Sequence, residues 1–222
     1  MQILILGGSG RTGKLVIDEA LRRNHSVAAL VRNESSLKPR GNLTVVKGTP
    51  LKQEDIEAAF EATPSPPDAV IVTLNAARAS DSPFAKPITP PRFLADSNEN
   101  AVAVMRKYGV RRIVTMSAFG VADSSKEMAW LMRHIIRKTN MSYQFEDHDL
   151  VDKEMKTSGT DYTLVRPVVL SEGEDLPVKD FGDSGKGVGM MSKITRKSVA
   201  SYLVKAAETN ELRGRTPVIA NV

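Results

Sequence analysis

The sequence predicts an α/β domain, a doubly wound parallel sheet with helices on both faces and a small C-terminal cap. Three observations carry this expectation. Short apolar runs alternate with helical patterns through most of the 222 residues. The first run ends in a glycine turn that opens straight into a helix. The last fifty residues lose the regular rhythm, as a cap added to the sheet would. Strands separated by helices are what right-handed parallel crossovers require.

The elements follow in order. Residues 3–6 form an apolar strand ending at Gly7 and Gly8, and residues 14–23 carry a helical pattern through Leu15, Val16, Ile17, Ala20 and Leu21. Residues 26–31 and 43–46 read as the second and third strands. Residues 54–62 form an amphipathic helix with Ile56, Ala59 and Phe60 inward. After the break at Pro64, Pro66 and Pro67, residues 69–73 make a fourth strand. Helices are expected over 93–108, 127–138 and 148–157, with Gly109 and Gly159 as stop signals. Residues 112–116 and 162–165 are further strands. A helix over 195–208 and a strand over 216–220 complete the pattern. The chain reads as one domain over 1–222, with substrate-side excursions at 76–92, 118–146 and 168–196.

Composition narrows the function. Lys plus Arg number 31 against 26 Asp plus Glu, a net charge of +5, but the basic residues are scattered and the aromatics few. Nucleic acid is therefore not the expected partner, whereas a phosphorylated small molecule is. The absence of cysteine excludes disulfides, thiolate metal sites and cysteine nucleophiles. His25, His134 and His148 show no metal-ligand spacing, so no metal is expected. No apolar run reaches membrane-spanning length and no basic leader precedes one. The expectation is a cytoplasmic protein without a membrane partner, and a monomer because no separate association helix is evident.

The sharpest signal is Gly7-Gly8-Ser9-Gly10-Arg11-Thr12-Gly13 between a strand and a helix. Gly7 permits the tight turn, Gly10 lets a diphosphate approach, and Gly13 lets the helix lie close to the sheet. Unpaired N–H groups at the helix start then face the phosphates, with Ser9, Arg11 and Thr12 beside them. The G-K-[ST] ending of a P-loop is absent. This is the Rossmann-like arrangement for a dinucleotide. The second strand ends at Val31-Arg32-Asn33, where an acid would hold the adenosine ribose. Arg32 instead suits a 2′-phosphate, with Asn33 as a neutral donor or acceptor, so NADP(H) is the expected cofactor. A solvated surface arginine is the alternative reading of Arg32.

With these residues in view, the chain resembles the atypical short-chain dehydrogenase/reductases, and within them the NmrA-like and biliverdin reductase B (flavin reductase)-like proteins. The resemblance rests on the glycine turn, Val31-Arg32, Thr115-Met116-Ser117-Ala118-Phe119, Asp147-His148, and Tyr162-Thr163-Leu164-Val165-Arg166-Pro167. It implies that Leu74 and Asn75 lie by the nicotinamide, that Ser117 faces the reacting ring, and that Pro167, Val168 and Val169 pass near the carboxamide. It also implies that Leu51 contacts adenine and that Lys153 takes the place of the lysine in the Y-x-x-x-K pair. The pattern is departed from at two places. Asp149 stands four residues before Lys153, where ordinary members carry tyrosine. Asp152 stands where flavin reductase-like relatives can carry a second histidine.

Ser117, His148 and Lys153 are the catalytic candidates. Ser117 orients a substrate oxygen or merely bonds local backbone. His148 passes a proton or pairs with Asp147 at a surface helix start. Lys153 stabilises an oxyanion, binds a ribose hydroxyl, or faces solvent. Met128, Trp130, Met132, Phe119 and Phe84 line an apolar pocket or pack between helices, and Arg78 and Arg133 are candidates to recognise an acidic group. The expected function is an NADPH-dependent reductase of a small carbonyl, quinone or flavin-like aromatic substrate. A noncatalytic NADP(H)-sensing regulator and an isomerase or epimerase on the same fold are the alternatives.

Overall fold

Apolar alternation in β1 (Gln2–Leu6) sends Ile3 and Ile5 to one face of the sheet and Leu4 and Leu6 to the other. All four side chains are fully buried, so both faces must be covered. In the computed structural model, which describes residues 1–80 and 82–222, they are. Helices α1 (Arg11–Arg22) and α6 (Arg196–Glu208) cover the face of Ile3 and Ile5. Helices α2 (Gln53–Glu61), α3 (Phe93–Lys107) and α5 (Met141–Thr157) cover that of Leu4 and Leu6. Between α3 and α5 lies α4 (Trp130–Lys138), which buries only Ile136.

The main sheet contains β2 (Ser26–Val31), β3 (Leu43–Lys47), β4 (Ala69–Val72), β5 (Arg112–Met116), β6 (Asp161–Pro167), β8 (Val178–Asp180) and β10 (Val218–Asn221) around β1. Its order is β3-β2-β1-β4-β5-β6-β10-β8, and only the edge strand β8 runs antiparallel. Between β6 and β8, β7 (Val169–Ser171) leaves the sheet to pair in parallel with β9 (Lys193–Thr195). This two-stranded piece and the segments around it form the cap-like C-terminal extension.

The α/β fold is thus the expected one, and the differences are local. Helix α1 starts at Arg11 rather than near residue 14, because its first turn contains the glycine that close packing demands. Helix α5 starts at Met141, seven residues before the expected start. Its first two turns have no clean apolar period, and tertiary bonds hold them instead: Gln144 Nε2 donates to Asn75 Oδ1 at 2.7 Å. Helix α4 is shorter than the expected 127–138. The three-residue strands β7, β8 and β9 were not expected, since three residues carry no readable periodicity. Of the 76–92 excursion, residue 81 lies outside the described residues.

Candidate functional site

The strand order turns outward in opposite directions from β1 and β4, and ligands of open α/β sheets bind beyond the strand ends at such a point. Here β1 runs into the glycine turn. Gly7 has φ +90°, and a Cβ on it would lie 3.0 Å from the Thr73 carbonyl. A Cβ on Gly13 would lie 2.2 Å from the Gly7 carbonyl oxygen, so no side chain fits there without moving the backbone. The Thr73 hydroxyl, just beyond β4, donates towards the carbonyls of Leu6 and Gly7 at 3.2 Å each. Gly10 caps α1 and has no side chain to satisfy its first N–H groups. The turn therefore presents unshielded backbone donors over a surface stripped of side chains, which suits a diphosphate.

From this turn a cavity of about 380 Å³ extends past β4 and β5 to β6, lined by Gly10, Arg11 and Thr12 at one end and by Pro167, Val168 and Leu170 at the other. Leu74, Asn75, Ser117 and His148 lie between. Ser117 follows β5, and its backbone N–H donates to the Val165 carbonyl at 2.7 Å. Its hydroxyl is buried with no hydrogen-bond partner among the described residues. The same holds for His148 Nδ1. Burial of the whole His148 ring pushes its pKa down to about 4, so it is neutral at pH 7. Both residues line the same cavity, and buried polar atoms left without a partner mark a place that requires a physical explanation.

The cofactor candidates divide by position. Gly7, Ser9, Gly10, Arg11, Thr12 and Gly13 make the turn and the start of α1. Arg32 is exposed just past β2, with no ion pair among the described residues. Asn33 Oδ1 is engaged by the backbone N–H and hydroxyl of Ser35, which leaves its amide N–H groups for a ligand. Leu51 is exposed beyond β3 and outside the cavity. Pro167 and Val168 line the wall, whereas Val169 is 63% exposed and Leu170 takes its expected place.

Two expectations about α5 are corrected. His148 does not sit at a surface helix start; it is in the middle of α5 and 4% exposed. Asp147 is not its partner, because its carboxylate accepts the N–H groups of Leu94 and Ala95 at 2.8 and 2.9 Å and so caps α3. Lys153 is exposed and does not reach the cavity. Five residues along a helix turn it about 140° away from His148. Asp152, one turn from His148, is buried instead and pairs with Arg166.

Of the two readings of the apolar side chains, the pocket is not the one that forms. Trp130 and Phe84 are each 72% exposed and Met132 is exposed, while Phe119 packs into the core. None of these lines the cavity, and Met128 and Arg133 border a separate hollow beside Gly120. Arg78 does line it. Thr73, Gln144 and Arg196 also line it and had not been singled out. Thr73 was legible as the residue after a strand, but Gln144 and Arg196 come from segments whose placement no local pattern reveals.

Comparison with known proteins agrees with this geometry. The photosystem II assembly factor Ycf39 of Synechocystis sp. is 23% identical over 228 residues, an alignment covering 100% of this chain and 63% of Ycf39. The chain thus spans less than two thirds of that relative's length. Among solved structures, ChuY, an anaerobillin reductase from Escherichia coli O157:H7, superposes with a TM-score of 0.77 at 18% identity, covering 100% of this chain and 97% of ChuY. A short-chain dehydrogenase/reductase from Veillonella parvula in complex with NADP gives 0.76 at 15% identity, covering 99% and 94%. Both structures share the fold. A family model described as NAD(P)H-binding matches residues 7–210, from the first glycine of the turn to beyond α6. With the glycine turn and the cavity both inside that span, the chain belongs to the NAD(P)H-binding family.

Proposed function

We propose that this protein is an NADPH-dependent reductase of a small conjugated carbonyl, quinone or flavin-like acceptor, of the NmrA-like or biliverdin reductase B-like kind. The observation that carries the proposal is that Ser117 and His148 both line the cavity that begins at the glycine turn. The turn and the first N–H groups of α1 hold the diphosphate, Arg32 takes the 2′-phosphate, and Leu74, Pro167 and Val168 bound the nicotinamide. When bound, the cofactor supplies a hydride. The chain's own task is to place the acceptor and stabilise charge on its oxygen. Ser117 donates a hydrogen bond to that oxygen. A quinone takes up one hydride and one proton to become the hydroquinone. The proton comes from water, and His148, kept neutral by burial, serves as a hydrogen-bonding group rather than as the acid.

The test is NADPH oxidation with a quinone acceptor, alongside direct binding of NADPH and NADH. Ser117→Ala is expected to lower kcat/KM about a hundredfold, the loss typical of one such donor, with little change in NADPH affinity. Arg32→Ala is expected to weaken NADPH and spare NADH. Absence of affinity for either dinucleotide, or full turnover in Ser117→Ala, sinks the reading. The alternative of a noncatalytic NADP(H) sensor has one observation in its favour. Asp149, where ordinary short-chain reductases carry tyrosine, accepts the Ala122 N–H at 2.7 Å and offers no phenol. That alternative predicts dinucleotide binding without turnover of any acceptor.

A further inference from the structure

We infer that the acceptor is an anion, a conjugated molecule bearing a carboxylate that Arg78 holds. This rests on the reductase reading and deepens it. Among the described residues, the cofactor cavity is lined by three arginines, Arg11, Arg78 and Arg196, and by no carboxylate. Arg11 stands at the glycine turn, beside the place of the diphosphate. Arg196 is already paired with Glu172 at 2.5 Å. Arg78 gives one hydrogen bond to the Ser82 carbonyl at 3.1 Å and has no carboxylate partner among the described residues.

Arg78 and Gln144 also line a second, larger cavity of about 630 Å³. The two cavities therefore meet at these side chains. A volume of this size takes a medium-sized organic ligand. Its walls include Ala76, Pro87, Pro90, Tyr143 and Leu150, flat and largely apolar surfaces that suit a planar ring system. Of its charged groups, Arg92 is occupied by Asp96 and Glu154, and Asp147 is occupied in capping α3. Among the described residues, Arg78 and Lys86 remain, against the single carboxylate of exposed Glu146. A ligand seated in this chamber with its reactive end towards Ser117 brings an acidic substituent within the range of Arg78. A guanidinium holds a carboxylate through charge-assisted bonds.

The experiment compares 2-methyl-1,4-naphthoquinone with its 3-propanoate derivative on the full chain, by calorimetric binding to the NADP+ complex and by NADPH oxidation. The propanoate is expected to bind about tenfold more tightly, the gain of one charged hydrogen-bonded contact. In Arg78→Gln that preference is expected to fall to about one, and Arg78→Lys to restore part of it. Equal affinity for both quinones in the wild type overturns the inference. So does an unchanged preference in Arg78→Gln, or a loss of NADPH affinity as large as the loss of propanoate affinity, which assigns Arg78 to the cofactor. Arg78-dependent propanoate binding with no reduction of either quinone leaves the anion site standing and removes the reductase reading. Reduction of both with equal affinity does the reverse.

Discussion

Arg166 of β6 donates through Nη2 to Oδ1 of Asp152 on α5 at 2.5 Å, and neither side chain is more than 6% exposed. Arg166 Nη1 reaches the Asp183 carbonyl at 2.8 Å, and Asp152 Oδ2 takes Lys156 at 2.8 Å. The pair thus joins α5, β6 and the segment after β8, one helical turn from His148 and next to the cavity-lining Pro167. Removing the carboxylate leaves a guanidinium buried without its counter-charge. Asp152→Ala is expected to cost about 3–5 kcal/mol of stability, as broken buried pairs do. The double variant Asp152→Leu/Arg166→Met is expected to recover most of it. Urea titration of both variants is the check; a loss below about 1 kcal/mol for Asp152→Ala, the level of a surface pair, contradicts the assignment.

His148 predicts a pH dependence of stability. Its pKa falls from the ordinary 6.5 to about 4 on folding because the ring is buried. Between these values the unfolded chain binds the proton and the folded chain does not. Stability from this group is therefore intact above pH 6.5 and declines as pH falls towards 4, by up to about 3 kcal/mol. His148→Gln is expected to flatten the stability curve in that window. Thermal unfolding at several pH values compares the two, and parallel curves for variant and wild type count against a buried neutral ring.

The glycine turn separates folding from binding. Gly13→Ala forces a Cβ against the Gly7 carbonyl oxygen and should both destabilise the protein and abolish dinucleotide binding. At Gly10 the tightest neighbour of an added Cβ is 3.3 Å away, so Gly10→Ala should fold nearly as well as the wild type. It should still bind NADPH more weakly, because the methyl group occupies the diphosphate's approach. Melting temperature and NADPH titration, measured on both variants, resolve the two effects.

At the opposite ends of the strands, Arg112 is buried at the start of β5 and donates to the Asp161 carbonyl, the Thr163 hydroxyl and the Ala206 carbonyl. Burial lowers its pKa to about 10, still well above neutrality, so the charge persists at pH 7. Arg112→Ala is expected to lower stability by about 2–4 kcal/mol, since several buried acceptors lose their donor. NADPH affinity should be unchanged in samples that remain folded, because the site lies at the other ends of the strands. Chemical denaturation and dinucleotide titration test this together.

The glycine turn and the strand-end positions around the cavity were legible because their signals are local. Gly7, Gly10 and Gly13 owe their identity to backbone contacts within one turn, and Arg32 and Ser117 owe their places to the ends of strands that apolar runs already mark. His148 was a candidate from its neighbours, but its burial was not readable, since the first turns of α5 have no apolar stripe to orient them.

Residue order alone therefore determined the parallel sheet, its two covered faces and the glycine turn, all products of periodicity and of glycine's missing side chain. Tertiary structure decided the rest. Lys153 turns outward while Asp152 turns in, Asp147 caps a helix about fifty residues away, and Arg78, Gln144 and Arg196 converge from three separate segments. Such choices depend on the rotation of one helix against the sheet and on the packing of distant loops, which no pattern within a short window encodes.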